Sequence, residues 1–429
     1  MEMIKKFLRI VFHIDNFFVS VFTVALLCLL LTVIKKLDFL DPVEKVLDLS
    51  MIDLYYQINN TSEKTTNQQI SIVDITQLTE RQRDSMAIVV NQIAEMNPAV
   101  LGVDIIFERQ LANSKADSDL MIAFFEASQT IPIVMAEKLS SSNWESSNYT
   151  YITHSFFSEE VGLEEGSVNV TAKPSEGLET YPVYLTMGTD TVYSFPAKIV
   201  EALTGNKVIP NKGREHTINY DAVTFNIIDY HDLPQSRDLI EGRCVLLGAS
   251  REERDKHLTP IGEMAGIEVL AHTINSMTYG NHVWYGGLVW VIIVAILAGF
   301  LMNGFEFLTT KFIREVVPSC LNRILKKINV QPKEYLLLDF FTESEIYDKI
   351  VAFIFMIVFT LFTYWLYKNQ AIYVNTWLAL GTIAFIEEGR LIYRAGLTFL
   401  YKKGVKKPVL QSLYKEEVLD SIKNKKNNS

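Results

Sequence analysis

Three stretches of this chain carry no charged side chain over the thickness of a bilayer, and that limits every other reading of it. Phe17 to Ile34 is an uncharged run of 18 residues. At about 1.5 Å of rise per residue it makes a helix about 27 Å long, close to a membrane's hydrocarbon core. Tyr285 to Phe305 and Ile350 to Tyr367 are also uncharged and long enough to cross, with aromatic residues toward an end, where an interfacial belt would sit. Ala371 to Ile386 is shorter, but it follows the third run after only Lys368, Asn369 and Gln370. A turn back is the natural continuation, which predicts a fourth crossing. Membrane lipid is thus the first expected partner.

Charge sets the expected sidedness. Lys5, Lys6 and Arg9 precede the first run, no small-residue cleavage site follows it, and Lys35 and Lys36 come directly after. This reads as an uncleaved anchor behind a cytoplasmic segment, 1–16. From Leu37 to Trp284 there are 36 acidic and 17 basic residues, whereas the rest of the chain has 14 acidic and 23 basic. The tail 387–429 holds ten Lys and Arg against five acids. Positive charge stays inside, so four crossings (17–34, 285–305, 350–367 and 371–386) place both ends in the cytoplasm and the acidic segment 37–284 outside. An acidic surface disfavours nucleic acid. Cys28, Cys244 and Cys320 fall in three different segments, which leaves no disulfide framework and no zinc spacing.

Within the acidic segment, Ile70 to Thr76 and Ala99 to Ile106 are nearly continuous apolar runs, the pattern of strands covered on both faces. Between them Met86, Val89, Val90, Ile93 and Met96 recur at helical spacing, with Thr79 available as a cap and Pro98 as a stop. This predicts a right-handed βαβ unit with parallel strands. A helix over 118–128, a strand over 131–136, a polar loop or insertion over 140–158, a last strand over 243–249 and an amphipathic helix over 266–277 complete the reading. The expected fold is an α/β domain, a mixed and partly parallel sheet flanked by helices, joined to an all-α membrane region.

These features together resemble the second class of CHASE domain, an extracytoplasmic sensor of bacterial cyclases and histidine kinases. The resemblance rests on ISIVDIT ending near Asp74, on Arg83 near the start of the first helix, and on AVLGVDIIFE with Asp104 and Phe107. Asp117, Asp119 and Leu120 match a later acidic step, and Gly166 to Asn169, Ser194 to Leu203 and Ile218 to Tyr220 match further segments. Most specific is Glu241 to His272, a strand, a Gly-containing loop, an Asp, Thr-Pro, a Gly and a helix. The resemblance covers roughly 43–386. It implies a signal receptor in a bacterial plasma membrane, with homodimerisation a family-level expectation. In three respects the chain departs from the pattern. Gln77 to Glu80 replace a Trp- and Pro-rich approach to the first helix, the segment 306–349 is longer than a tight loop, and only about 40 residues follow the last helix where a catalytic output domain is usual.

The carboxyl ends of parallel strands face the crevice in which ligands bind. Asp74 and Asp104 sit at such ends, where capping of the next turn is the competing reading. Asp255, His257 and Thr259 lie in a polar loop where oxygens and an imidazole can converge on a polar ligand, or simply form turn hydrogen bonds. Glu268 shares a helix face with His272, four residues on. With Arg83 and Phe107 from the resemblance, these are the candidate ligand-binding residues. No phosphate-binding loop, nucleophile elbow, HExxH or CxxC occurs, so neither catalysis nor a cofactor nor a metal is expected. Gly299 and Gly304 can bring helices close. The segment 306–349, apolar residues interleaved with basic ones, reads as an amphipathic surface for membrane or partner, or as a solvated connector. The expected function is a multi-pass sensor subunit that recognises an outside signal and relays it to a separate effector. The alternative is a scaffold that uses the same domain for docking.

Overall fold

The computed structural model describes residues 9–34, 56, 64–79, 81–111, 114–141, 149–171, 177–211, 213–220, 223–252, 255–279, 284–285, 287–311, 345–370 and 372–427. The amphipathic reading of 306–349 therefore falls mostly outside the described residues. Two units divide the chain: Ile52–Trp284, and the flanking Met1–Met51 with Tyr285–Ser429. In chain order the elements are α1 (Ile14–Ile34), β1 (Thr65–Asp74), α2 (Arg83–Glu95), β2 (Val100–Val103), α3 (Ser114–Ser128), β3 (Ile133–Ser140), β4 (Tyr151–Thr153), α4 (Phe156–Val161) and β5 (Glu164–Ser167). There follow β6 (Thr180–Pro182), β7 (Tyr184–Met187), β8 (Asp190–Tyr193), α5 (Phe195–Thr204), β9 (Glu215–Thr217), β10 (Val223–Asp229), β11 (Cys244–Gly248), β12 (Lys256–Thr259), β13 (Gly262–Ala265) and α6 (Gly266–Tyr279). The second part of the flanking unit contributes α7 (Leu288–Lys311), α8 (Glu345–Gln370), α9 (Trp377–Ala384), α10 (Ile386–Lys402), α11 (Lys407–Gln411) and α12 (Lys415–Asn427).

In the unit Ile52–Trp284 one sheet runs in the order β10, β1, β11, β2, β3, with β4 and β5 both on the far edge of β3. Every pairing is parallel except β3 with β4. The mixed, partly parallel α/β reading holds. One relation differs: β1 and β2 are parallel but not neighbours, because the last strand, β11, enters between them. Val73, Leu101, Val103 and Leu247 pack against Met86, Val90 and Ile93 of α2 and Leu120 and Phe124 of α3. Each such fully buried side chain contributes about 1.5–3 kcal/mol relative to exposure. The alternate residues face α5 and α6. Gly102 is required on that face, since a Cβ there would stand 2.5 Å from Ile199 Cδ1.

Local details correct the expected boundaries. Helix α2 starts at Arg83 with Gln82 as its cap residue, and Thr79 instead gives its amide to Gln82 Oε1 at 2.9 Å. Asn97, at φ 61°, turns the chain into Pro98 in the left-handed region that Asn tolerates. The polar loop after β11 is partly a hairpin, β12 paired antiparallel with β13.

Among the described residues of the flanking unit, three helices are long and apolar enough to cross a membrane, within Arg9–Thr32, Leu288–Thr309 and Tyr347–Gln370. The fourth predicted span, 371–386, does not form one helix. Trp377–Ala384 has eight residues, about 12 Å, too short to cross alone. It passes through Phe385 into α10, where the Phe385 amide still donates to Gly381 O at 2.9 Å. Glycines set the close crossings: a Cβ on Gly299 would lie 2.7 Å from Thr382 Cγ2, and one on Gly304 would lie 2.8 Å from Val11 Cα. The expectation that these two glycines bring helices together is met. Contact order along the helices makes α1 antiparallel to α7, since Ser20 lies near Gly299 and Val11 near Gly304.

Candidate functional site

The carboxyl ends of β1, β11 and β2 bring Asp74, Gly248 and Asp104 side by side. The Ile75 amide donates to Gly248 O at 3.0 Å, and the Asp104 amide to Leu247 O at 2.9 Å. Gly248 has no side chain because a Cβ there would meet Ile267 Cδ1 at 2.8 Å and Asp104 Cβ at 3.2 Å. The two strand-end carboxylates then diverge in role. Asp74 is buried and fully engaged. Its Oδ1 accepts from the Thr76 amide at 3.1 Å, the Thr76 hydroxyl at 2.5 Å and the Ser250 amide at 2.9 Å, while Arg251 Nε stands 3.3 Å from Oδ2. Burial opposes its charge, but the hydrogen bonds from Thr76 and Ser250 outweigh it and lower the pKa. Asp74 thus joins two loops, as the capping reading anticipated.

Asp104 has no such support. It is only partly exposed, and desolvation, with the charge of Asp255 added, pushes its pKa up to about 7, although His257 works the other way. Gly266 admits the Asp255 carboxylate against the start of α6, where a Cβ would collide with it. His257 Nε2 lies 3.7 Å from Asp255 Oδ1, and both side chains reach solvent. Tyr181, in β6, is 1% exposed, its hydroxyl has no hydrogen-bond partner, and it feels the charges of Asp104 and Asp255 as well as its own burial. A buried hydroxyl without a partner costs about 1–3 kcal/mol, which a ligand can relieve. Asp104, Tyr181, Asp255 and His257 therefore form the group best suited to hold a polar molecule. The stretch around Tyr181 has no motif to mark it; only its place in the fold near Asp104 and Asp255 reveals it.

The other candidates lie elsewhere. Arg83 is 1% exposed and pairs with Asp117 at 2.5 Å, donates to Arg109 O at 2.9 Å, and lies 5.1 Å from the Phe107 ring and 5.2 Å from that of Phe157. Arg83 and Phe107 are brought together, but as an ion pair wrapped in aromatic rings within the core and closed to solutes. Thr259 is buried and its hydroxyl donates to Gly262 O at 2.6 Å, closing the β12–β13 turn. Glu268 is half-buried on α6, with burial raising its pKa. His272 packs between the rings of Tyr220 and Phe225, where burial lowers its pKa to about 4. An open groove of about 400 Å³ lies at the amino ends of β3 and β5, lined by Ile131, Pro132, Glu164 and Lys198. Lys198 and Glu164 pair there at 2.8 Å, so their charges are already matched.

A second polar centre, within the flanking unit, was not foreseen. Arg390 Nη1 stands 2.8 Å from Glu306 Oε1 and 2.6 Å from Glu387 Oε1, while Arg390 Nη2 donates to Asn303 Oδ1 at 2.8 Å. Asn303 Nδ2 donates to Asn16 Oδ1 at 2.7 Å and to Tyr414 Oη at 3.1 Å. Asp15 accepts from the Tyr393 hydroxyl at 2.6 Å, the Ser412 hydroxyl at 2.8 Å and the Leu413 amide at 2.6 Å. Polar side chains in an apolar helix bundle are retained for function or specificity. Asn303, inside an otherwise apolar run, was the available signal.

Residues 23–302 match the family model described as CHASE2 domain. No curated protein and no solved structure matches the chain.

Proposed function

The chain belongs to the CHASE2 domain family, an extracellular sensor domain family, and on that premise we propose that it is a multi-pass membrane sensor whose α/β domain binds a small polar solute in the crevice of Asp104, Tyr181, Asp255 and His257. The observation that carries this reading is the buried Tyr181 hydroxyl without a partner, set against two carboxylates. Two carboxylates favour a ligand with an ammonium or another strong donor, and the phenol supplies a donor to an acceptor on the same molecule. The role is binding and not turnover.

The proposed topology has four crossings, the fourth made by α9 running on into α10. Three observations support it. Gly299 approaches Thr382 and Asn303 bonds Arg390, so α9 and α10 run alongside α7 in the same direction. Asn16 at the start of α1 and Asn303 toward the end of α7 meet at one level. Asp348 at the start of α8 stands with Glu306 and Glu387. By the charge asymmetry this level is cytoplasmic. Ser412 and Leu413 bind Asp15 there, so a shift of α1 reaches the tail, and through it a separate effector. Ligand binding acts by favouring one arrangement of these helices over another.

The test is thermal unfolding of the full-length chain in detergent across a panel of small amines, amino acids and polyols, repeated with Asp104→Asn and Tyr181→Phe. A solute that raises the midpoint in the native chain and not in either variant supports the reading. A panel without any response, joined to a protein that co-purifies in fixed ratio, would replace it with a docking scaffold.

A further inference from the structure

At the outer edge of the sheet, where β3 meets β4 and β5, two carboxylates and an imidazole converge. Glu137 projects from β3 and Glu165 from the adjacent β5, where Met135 is the register partner of Glu165 and Glu137 lies two residues on along the same face. His154 follows β4, which pairs with the later half of β3. His154 Nδ1 lies 3.2 Å from Glu137 Oε2 and 2.5 Å from Glu165 Oε2. Among the described residues this is one of the two groups able to present a cation with three ligand atoms all within 4.8 Å of one another.

A single imidazole nitrogen carries at most one proton, yet two carboxylate oxygens address it. One hydrogen cannot serve both with good geometry. The Glu137 side chain is 7% exposed, so its carboxylate has little contact with water. The second carboxylate is oriented from behind: Glu165 Oε1 accepts from the Ser155 amide at 2.8 Å and from the Ser158 hydroxyl. Such outer contacts are what hold metal ligands in place. Two oxygen ligands and one imidazole nitrogen at about 2.1 Å from zinc stand about 3.4 Å apart in a tetrahedron; the His154 to Glu137 separation is near that value, and the His154 to Glu165 hydrogen bond opens by about 0.9 Å when an ion takes the place of its proton. The His154 side chain is 52% exposed, which leaves a route in and a coordination position for water.

We propose that Glu137, His154 and Glu165 form a binding site for one zinc-class divalent transition-metal ion. The ion replaces the proton on Nδ1 and matches the two carboxylates in charge. It ties β3, β4 and β5 together at the edge of the sheet, and it is independent of the solute crevice, which holds none of these residues.

The experiment is calorimetric titration of the full-length chain in detergent, stripped with chelator, with zinc chloride. One equivalent binds, His154→Ala and Glu165→Gln each weaken binding at least about tenfold, and His257→Ala leaves it unchanged. Melting in chelator establishes that each variant is folded. X-ray absorption of the zinc-loaded native chain, which needs no variant, shows one imidazole with oxygen donors. The assignment is overturned by lack of saturable binding, by unaltered affinity in His154→Ala, by loss in His257→Ala alone, or by sulfur in the first coordination sphere.

Discussion

Replacing Asp104 with Asn removes a charge that the fold does not support, and the effect must follow pH. The side chain titrates near 7 in the folded chain against 3.8 in the unfolded one. A carboxylate raised in this way ionises first in the unfolded chain. The folded state is therefore unpenalised below about pH 3.8 and loses stability as pH rises toward 7. At 1.36 kcal/mol per pKa unit the full penalty above pH 7 is about 4 kcal/mol, and partial exposure of the side chain screens this to about 2 kcal/mol. Asp104→Asn keeps the shape and abolishes the titration. It is expected to be more stable than the native chain by about 2 kcal/mol at pH 8 and by about half of that at pH 5.5. Cys244 offers the assay. It is buried at the amino end of β11, the central strand whose carboxyl end borders the site, and in a Cys28→Ser, Cys320→Ser background its labelling across a urea titration reports opening of the sheet. Equal stability at pH 8, or a gain that does not shrink at pH 5.5, would refute the claim that Asp104 is held against its solvation preference and with it the case for a ligand-ready crevice.

Four further outcomes follow from the same geometry. Arg83→Ala leaves Asp117 buried without its cation and should cost about 3–5 kcal/mol in urea unfolding, most of it recovered by adding Asp117→Leu. Asp74→Asn should destabilise at pH 7, with the difference from the native chain shrinking as pH falls below 3.8, because a lowered carboxylate contributes stability above its unfolded pKa and loses it as pH falls through the folded one. Gly166→Ala drives a Cβ to 2.5 Å from Phe195 Cα, backbone against strand, and should cost about 1–3 kcal/mol in the same assay. In detergent melts, Asn303→Leu should cost about 1 kcal/mol and Arg390→Met about 3 kcal/mol, since the latter strands Glu306.

Much of the frame was legible because it depends on periodicity. Uncharged runs as long as a bilayer is thick admit few alternatives, and the buried strands β1, β2 and β11 reveal themselves as continuous apolar stretches. The β12–β13 hairpin was not legible, since Lys256 to Ala265 lacks the alternation that marks a half-buried strand and carries Pro260 at its turn. The break within the predicted fourth span was not legible, because its hydropathy runs on to Ile386 while one helix stops at Ala384 and another begins at Ile386, where Glu387 and Arg390 pair. At the crevice, Asp104, Asp255 and His257 were named from strand ends and loop chemistry. Arg83 and Phe107 were named from resemblance alone, which records that residues recur and not that they touch solvent. Tyr181 and the Asn303–Arg390 centre depend on pairings more than 70 residues apart in the chain, which no local pattern encodes.

The place of β11 bears on how the domain comes to exist. Until Cys244 to Gly248 has been synthesised, β1 and β2 have no strand between them, and each presents a bare row of amides and carbonyls. The interval between β2 and β11 spans about 140 residues of chain. Folding of this body is thus dominated by a late, distant pairing, which makes it slow and prone to association while incomplete. Fragments that stop short of Gly248 are expected to aggregate, whatever elements they already contain.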